Sequence, residues 1–205
     1  IIMDDGFQSR SLHYDYALIA LDARRGIGNG HMIPAGPLRA PLKDQMRHAS
    51  AILSIGEGDA GDPVIRAAAR AGKPLFQAKM KPKNARAISG KQVLAFTGIG
   101  DPQKFFDTLS SSGCWVGASR AFGDHHMYTE AEAQQLLDKA GDEKLELVTT
   151  EKDAVRLTHS EGPLAKLRER AHVVPISLEF ELKTEAATII EAIIKNYEER
   201  RLETG

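Results

Sequence analysis

Two adjacent carboxylates lie near the amino terminus, in an Asp-Asp-Gly-Phe-Gln run at residues 4–8. Asp4 and Asp5 follow three apolar residues that predict the end of a buried strand, and in open α/β sheets such strand ends border the ligand crevice. Paired carboxylates there suit Mg²⁺, which prefers oxygen ligands and usually shares them with substrate phosphates. The alternative is an ordinary strand-to-loop turn, because Asp-Gly is a common turn dipeptide.

A segment rich in glycine and proline occupies residues 26–41. Its composition excludes a regular helix or a central strand, and a long irregular loop inside a compact domain is typically functional or disordered. The interleaved apolar residues Met32, Ile33 and Leu38 argue against disorder. Arg39 could pair with a phosphate through its planar guanidinium. The alternative is a structural loop that carries a surface arginine.

Two further polar clusters follow predicted strands. In the Asp-His-His run at residues 124–126, adjacent imidazoles beside a carboxylate could ligate a metal or form an acid–base pair. An ordinary hydrogen-bonded loop histidine is the alternative. The Thr-Thr-Glu-Lys-Asp run at residues 149–153 opens a helix, whose amino terminus could bind an anion. Its hydroxyl and carboxylate side chains could equally form a helix cap.

Short apolar runs alternate with helical patterns along the chain, which predicts an α/β fold with a largely parallel sheet. Strands that are covered on both faces have such short apolar sequences. The predicted strands are Ile1–Met3, Tyr16–Leu21, Ala51–Ile55, Pro74–Ala78, Val93–Thr97, Trp115–Ser119, Leu145–Thr149 and His172–Ile176.

Helix signals lie between these strands. Asp-Pro pairs at residues 62–63 and 101–102 suit an N-cap followed by proline, and Thr129 with Glu132 fits a capping box. Isoleucines and a tyrosine recur at helical spacing between residues 189 and 197, which predicts a helix that packs on the core. We expect its charged end to fray.

The composition is that of a soluble globular protein, with 42% hydrophobic and 27% charged residues. A formal net charge of −1 gives no global attraction to nucleic acid, and we expect no nucleic-acid partner. A single cysteine excludes an intrachain disulfide. A polar, turn-rich connector at residues 80–92 predicts the boundary between two α/β units. Because the chain begins inside the first predicted strand, we interpret it as a fragment.

Five motifs occur in one order along the chain. They are the Asp-Asp-Gly-Phe-Gln run, the Gly-Asn-Gly…Pro-Ala-Gly-Pro-Leu-Arg segment, Ala-Phe-Thr-Gly-Ile-Gly at residues 95–100, Asp-His-His-Met-Tyr at residues 124–128, and Thr-Thr-Glu-Lys-Asp-Ala-Val-Arg-Leu at residues 149–157. In this order they closely resemble the lipid A 4′-kinase (tetraacyldisaccharide 4′-kinase) family, from Met3 to about Leu157.

The resemblance implies ATP-dependent phosphorylation of the 4′-hydroxyl of tetraacyldisaccharide 1-phosphate in lipid A biosynthesis. It implies ATP as co-substrate, a lipid disaccharide substrate, and peripheral contact of the parent protein with the cytoplasmic face of the bacterial inner membrane. The implied fold is part of a phosphate-binding-loop NTPase-like kinase domain over residues 1–85. A second, smaller α/β/α domain with the carboxyl-terminal helix then covers residues 86–205.

The resemblance also implies roles for individual residues. Asp4 and Asp5 match the family's acidic pair near Mg²⁺, and we assign Asp5 to catalysis as well. His125 matches a histidine that supports the catalytic base, an aspartate that lies upstream of the segment seen here. The residues assigned to substrate binding are Gln8, Asn29 and Arg39.

The main departure from the family is the absence of a Gly-x-x-x-x-Gly-Lys-Ser/Thr loop from the 205 residues. We therefore assign the activity to the parent protein and expect the chain alone to be inactive. The alternative function is that of an Asp-His-His-type metal-dependent phosphoesterase, which requires further ligands around two metals and leaves the loop at residues 26–41 unexplained. A non-catalytic interaction domain is a third possibility.

Overall fold

Parallel strands alternate with helices throughout the computed structural model, which confirms the predicted α/β fold class. The structure describes residues 1–9, 11–83, 85–158 and 160–203. The chain divides into two compact units, one formed by Ile1–Lys79 with Leu178–Gly205 and the other by Met80–Ser177.

The strands and helices follow one another in a simple alternation over most of the chain. In chain order they are β1 (Leu18–Asp22), α1 (Leu42–His48), β2 (Ala51–Ile55), α2 (Asp62–Arg70), β3 (Leu75–Pro82), β4 (Gln92–Thr97), α3 (Pro102–Ser111), β5 (Trp115–Ala121), α4 (Glu130–Asp142), β6 (Glu146–Thr150), α5 (Glu151–Arg156), α6 (Gly162–Arg170), β7 (His172–Val174), β8 (Ile176–Phe180) and α7 (Glu185–Glu203).

The sheet of the first unit has the order β1-β2-β3-β8 among the described residues. β1 pairs with β2 and β2 with β3 in parallel, and parallel neighbours need a crossover connection, which α1 and α2 supply. Leu21, Ile52 and Val64 pack together in a core formed by these strands and helices. The glycine- and proline-rich loop leaves the carboxyl end of β1, where open α/β sheets bind ligands.

The sheet of the second unit has the order β5-β4-β6-β7 in the described part of the chain, with every pair parallel. Alternate residues of β4 face opposite sides, so Leu94 and Phe96 join a core with α4 while Val93 and Ala95 join another with α3. Because the strands are parallel, β4, β5 and β6 end at one edge. The loops that leave this edge carry the later polar clusters of the sequence.

Helix starts follow the predicted signals with one exception. The Asp101 carboxylate caps α3 by accepting from the backbone N–H of residue 104 at 3.3 Å. Thr129 and Glu132 form the predicted capping box of α4. At α2, however, Gly61 occupies the N-cap and Asp62 is already helical, so that predicted cap is wrong.

The predicted strand at Ile1–Met3 is also wrong. Residues 1–3 form no strand in the described chain, and Ile1 and Ile2 are fully exposed. A strand needs a neighbour for its backbone hydrogen bonds, and the described residues place none beside this segment. The acidic pair therefore follows an exposed segment rather than a buried strand.

The carboxyl-terminal region differs from the expected division of the chain. The structure groups residues 178–205 with the first unit, although the sequence-based division assigned them to the second domain. The physical reason is local: β8 lies beside β3, and Ile189 packs with Phe76 in a core of the first unit. The break at residues 79–80 falls at the edge of the predicted connector, in which residue 84 lies outside the described residues.

Helix α7 continues to Glu203, so the expected fraying of its charged end is wrong. Arg200 Nε donates to Asp15 Oδ1 at 2.6 Å, which holds this end in place. The expected apolar contact is smaller than predicted, because Ile189 is buried while Ile190 stays 56% exposed. None of the helices in the described ranges combines the length and apolarity needed to cross a membrane.

Candidate functional site

The acidic pair lies in an exposed bend that contacts Arg39. Arg39 Nη1 donates to Asp5 at 3.3 Å from Oδ2 and 3.4 Å from Oδ1, and to Gln8 Oε1 at 3.4 Å. The fold thus brings together three residues that the sequence assigned to the site, while Asp4 is exposed beside them. The Arg39 and Asp5 side chains are 58% and 77% exposed, so water screens their ion pair and leaves both accessible to a ligand.

Asn29 stabilises the loop that carries Arg39. Its Nδ2 donates to the carbonyl of Ala35 at 2.8 Å, and its Oδ1 accepts from the backbone N–H of His31 at 3.1 Å. A Cβ at Gly36 would lie 2.4 Å from the backbone carbonyl oxygen of His31 and 2.1 Å from Asn29 Oδ1, so only glycine fits at this point of the loop. These contacts explain an asparagine at this position, and its assignment to substrate binding stays a prediction.

His125 lies in the loop that follows β5. Its backbone N–H donates to the carbonyl of Gly98 at 3.1 Å and to Asp124 Oδ1 at 3.0 Å. Its side chain is 84% exposed, and Nδ1 lies 3.4 Å from Nη2 of Arg156. The imidazole thus contacts Arg156 at Nδ1, while Nε2 lies 3.8 Å from Asp124 Oδ2.

Left-handed backbone conformations coincide with the candidate catalytic residues. Asp5 has φ 49° and His125 has φ 58°, and Lys144 is the third non-glycine residue with positive φ in the described chain. Such conformations cost about 1–3 kcal/mol each and cluster at functional sites, because surrounding contacts must hold them. Asp5 and His125 share this conformation with Lys144, which lies in the turn between α4 and β6, and their assignment to a site stays a prediction.

The neighbouring His126 has a structural role. Its Nε2 lies 2.9 Å from Glu132 Oε2, and its ring stacks on Phe122 with centroids 4.8 Å apart. Hydrogen bonding from the backbone N–H of Thr129 lowers the pKa of Glu132 to about 2, and the contact with His126 adds to this effect. The two adjacent histidines therefore do not act as a pair.

Asp153 is the most deeply buried charge among the described residues, and sequence reasoning treated it only as a cap. Its carboxylate is 0% exposed. Oδ1 accepts from the backbone N–H of Gly98 at 3.0 Å and from Arg156 at 2.9 Å, and Oδ2 accepts from the hydroxyls of Thr97 at 2.7 Å and Thr150 at 2.6 Å. Asp153 and Arg156 are three residues apart on a helix, a spacing at which side chains meet, and this signal was available in the sequence.

Aromatic side chains cover the Asp153 network on one side. Tyr128 packs edge-on against Phe96 and Phe122 at centroid distances of 5.7 and 5.0 Å. Its buried hydroxyl makes no hydrogen bond within the described residues. Burial raises the pKa of the Tyr128 hydroxyl above its usual range, and the negative charge of Asp153 adds to the shift. The buried Tyr128 hydroxyl therefore lies close to the Asp153 carboxylate.

Comparison with known proteins decides the family. The model of the tetraacyldisaccharide-1-P 4′-kinase family matches residues 1–195. The chain belongs to this family. The match contains each of the candidate residues, from the acidic pair through Arg39 to His125.

Individual relatives agree with the family assignment. The tetraacyldisaccharide 4′-kinase of Chelativorans sp. is 48% identical over 202 residues, which are 98% of this chain and 59% of that protein. The corresponding kinase of Rhizobium rhizogenes is 47% identical over 205 residues, which are 100% of this chain and 58% of that protein. The chain thus spans less than two thirds of the length of the kinases that it matches.

A solved structure supports the fold. The crystal structure of the "apo" form of LpxK from Aquifex aeolicus in complex with ATP is similar over 92% of this chain and 56% of that chain, with a TM-score of 0.57 and 24% identity. This likeness is consistent with the predicted NTPase-like α/β fold. The comparisons give no support to the alternative phosphoesterase function, and no group of three or more potential metal-ligating side chains occurs among the described residues.

Proposed function

We propose that this chain supplies part of the active centre of a kinase that transfers the γ-phosphoryl group of ATP to the 4′-hydroxyl of tetraacyldisaccharide 1-phosphate in lipid A biosynthesis. The observation that carries the proposal is the family match, which extends over every candidate residue. Phosphoryl transfer depends on positioning and charge neutralisation more than on covalent chemistry by the protein. The residues that this chain offers suit those tasks.

Asp4 and Asp5 would hold Mg²⁺, with Gln8 beside them. The donor set fits this ion, because it consists of oxygen ligands on an exposed bend. Mg²⁺ usually binds through one or two carboxylates together with substrate phosphates, and this bend offers two adjacent carboxylates. When bound, the ion neutralises phosphate charge. Asp5 also fixes the position of Arg39.

Arg39 would bind a phosphate of one of the substrates. Its guanidinium presents several donors in a plane and matches phosphate oxygens well. In the structure one of its nitrogens faces Asp5 and Gln8, and the side chain is 58% exposed. Asn29 shapes the loop from which Arg39 extends, and we assign it to the substrate side of the site on the strength of the family resemblance.

His125 would support the aspartate that accepts the proton of the 4′-hydroxyl. A histidine hydrogen-bonded to a carboxylate base orients it and tunes its proton affinity. The exposed Nε2 side of the ring is the part available for this contact. We further propose that the parent protein works at the cytoplasmic face of the inner membrane through peripheral contact, where its lipid substrate resides.

A chimaera tests the proposal. The part of the Chelativorans sp. kinase that lies outside the matched segment is joined to residues 1–205, and transfer of labelled γ-phosphoryl from ATP to the lipid is measured. We expect lipid phosphorylation by the chimaera and none by the 205-residue chain alone, which lacks the Gly-x-x-x-x-Gly-Lys-Ser/Thr loop. A folded chimaera that binds ATP but leaves the lipid unlabelled, while the complete Chelativorans sp. kinase labels it, would contradict the proposal.

A further inference from the structure

Arg156 connects the buried carboxylate of Asp153 to the exposed ring of His125. Its Nη1 donates to Asp153 Oδ1 at 2.9 Å and to the carbonyl of Gly98 at 2.7 Å. Its Nη2 lies 3.4 Å from His125 Nδ1. The Arg156 side chain is only 14% exposed, so its planar guanidinium is fixed between these three partners.

The direction of the contact with His125 follows from chemistry. An arginine guanidinium has only donors and stays charged in proteins. His125 Nδ1 must therefore accept, which places the proton of the neutral imidazole on Nε2. Asp124 Oδ2 is 3.8 Å from Nε2, beyond hydrogen-bond distance. Within the part of the chain that the structure describes, the Nε2–H group has no acceptor at hydrogen-bond distance and can donate to a bound group.

The backbone of His125 is held by the same network. The carbonyl of Gly98 accepts from both Arg156 and the backbone N–H of His125, while the N–H of Gly98 donates to Asp153. A Cβ at Gly98 would lie 3.1 Å from the carbonyl of Gly123 and 3.4 Å from Arg156 Nη1. A larger residue here would thus require these neighbours to move by a few tenths of an ångström. The ring of His125 thus contacts Arg156 directly, and its backbone is linked through Gly98 to the buried Arg156–Asp153 ion pair.

We infer that Arg156, anchored on Asp153, is the positioning residue of His125: it keeps Nδ1 as an acceptor and directs the Nε2–H group towards an oxygen acceptor. A carboxylate that serves as a catalytic base, or a phosphate oxygen, matches this donor. The role in catalysis rests on the proposed function. The hydrogen bond itself and the position of the proton do not depend on it.

Nuclear magnetic resonance of the 205-residue chain tests the contact without any kinase activity. Correlation spectra between ring protons and ring nitrogens, recorded at mildly alkaline pH, show which nitrogen carries the proton, and loss of one signal set in His125→Gln assigns it. We expect Nδ1 of His125 to be unprotonated and a through-space signal to link the Arg156 Nη protons with the His125 ring. Protonated Nδ1, or absence of that through-space signal at low temperature, would overturn the inference.

Two variants sharpen the test. Arg156→Lys keeps the positive charge but loses the planar guanidinium with its two donating nitrogens. The chemical shift of His125 Nδ1 should therefore change. Arg66→Lys changes an exposed arginine that pairs with Asp62 on α2, and this matched control should leave the resonance unchanged. An unchanged Nδ1 resonance in Arg156→Lys, in a chain whose amide spectrum shows it folded, would also overturn the inference. The wild-type measurement decides the question if the variant does not fold.

The chimaera then tests the catalytic consequence. Misplacing a catalytic group reduces the chemical rate more than substrate binding, so Arg156→Lys should lower kcat about tenfold or more while KM for lipid and ATP changes little. Arg66→Lys should match the wild type. An unchanged kcat in Arg156→Lys would contradict the claim that Arg156 positions His125 for catalysis. An inactive wild-type chimaera would count against the proposed function, whereas the resonance data would still decide the hydrogen bond.

Discussion

Two arginine-centred clusters in this chain have similar chemistry and opposite surroundings. Arg39 meets Asp5 on the surface, where the two side chains are 58% and 77% exposed, while Arg156 meets Asp153 inside the second unit, where they are 14% and 0% exposed. A surface ion pair contributes little to stability because water screens it. A buried pair left with one partner is strongly destabilising. The comparison therefore predicts that variants of the first cluster lose function with little change in stability, whereas variants of the second cluster also lose stability.

Removing Asp4 should give the largest effect on function. In the chimaera, Asp4→Ala should nearly abolish turnover, because a metal ion that neutralises phosphate charge contributes several kcal/mol to the transition state. Its unfolding free energy should stay within about 0.5 kcal/mol of the wild type, as for other exposed sites. Phosphoryl transfer and urea unfolding measure the two quantities, with the exposed Asp142→Ala as control. Wild-type turnover would remove Asp4 from the site.

The buried carboxylate should give the largest effect on stability. Asp153→Asn leaves the charge of Arg156 without its partner, which should lower the unfolding free energy by about 3–5 kcal/mol. Asp5→Asn, the matched change in the exposed cluster, should stay within about 0.5 kcal/mol of the wild type. Because Asp5 and Asp153 lie in different units, native-state amide hydrogen exchange measures the loss for each variant in its own unit. Similar losses of unfolding free energy in Asp153→Asn and Asp5→Asn would contradict the contrast between the buried and the exposed cluster.

Substitutions of the two adjacent histidines should show the same contrast, with a loss of activity for one and a loss of stability for the other. His125→Ala in the chimaera should lower kcat by about 10²-fold, the usual contribution of an acid–base group, and change KM for the lipid less. His126→Ala loses the contact with Glu132 and the stacking on Phe122, so its main effect should be on unfolding. Steady-state kinetics and thermal unfolding of both variants test this. Equal kinetic losses would show that the histidines act together.

Glu132 should give the smallest effect, and a pH-dependent one. Its pKa is lowered from 4.5 to about 2 in the folded chain, so the folded state favours the ionised carboxylate. This stabilisation is fully present above the ordinary pKa of glutamate and is lost as the pH falls towards 2. Glu132→Gln should cost about 1 kcal/mol at neutral pH, as for other caps. The difference in unfolding free energy between wild type and Glu132→Gln, measured in urea, should shrink between pH 5 and pH 3. A constant difference would contradict a stabilising role of the ionised carboxylate.

Much of the scaffold was predictable because apolar runs and caps are local signals. The prediction matched β2 at both ends, and it located β4, β5 and β6 to within two residues. It missed β8 because alternating, half-exposed residues resemble a loop when read without their partner strand. It placed a strand at residues 1–3 on apolar character alone, and the described structure offers these residues no hydrogen-bonding neighbour.

The residues of the candidate site could be predicted from the sequence, but the contacts between them could not. The family resemblance selected Asp5, Gln8 and Arg39, although their meeting across 34 residues depends on the course of a loop that no local pattern specifies. The cap formed by Thr150 and Asp153 was one of the two interpretations that the sequence left open. The burial of Asp153 beneath Tyr128, and its link to His125, depends on three strand ends meeting at one edge of the sheet.

The proposed role of Asp5 in phosphoryl transfer is tested most directly by comparing two chimaeras, one with wild-type residues 1–205 and one with Asp5→Ala. Both receive labelled ATP, Mg²⁺ and tetraacyldisaccharide 1-phosphate, and the labelled position in the lipid is determined. We expect label on the 4′-hydroxyl with the wild-type segment and almost none with Asp5→Ala, in a protein of unchanged stability. Equal labelling by the two chimaeras, or label at another position, would contradict it.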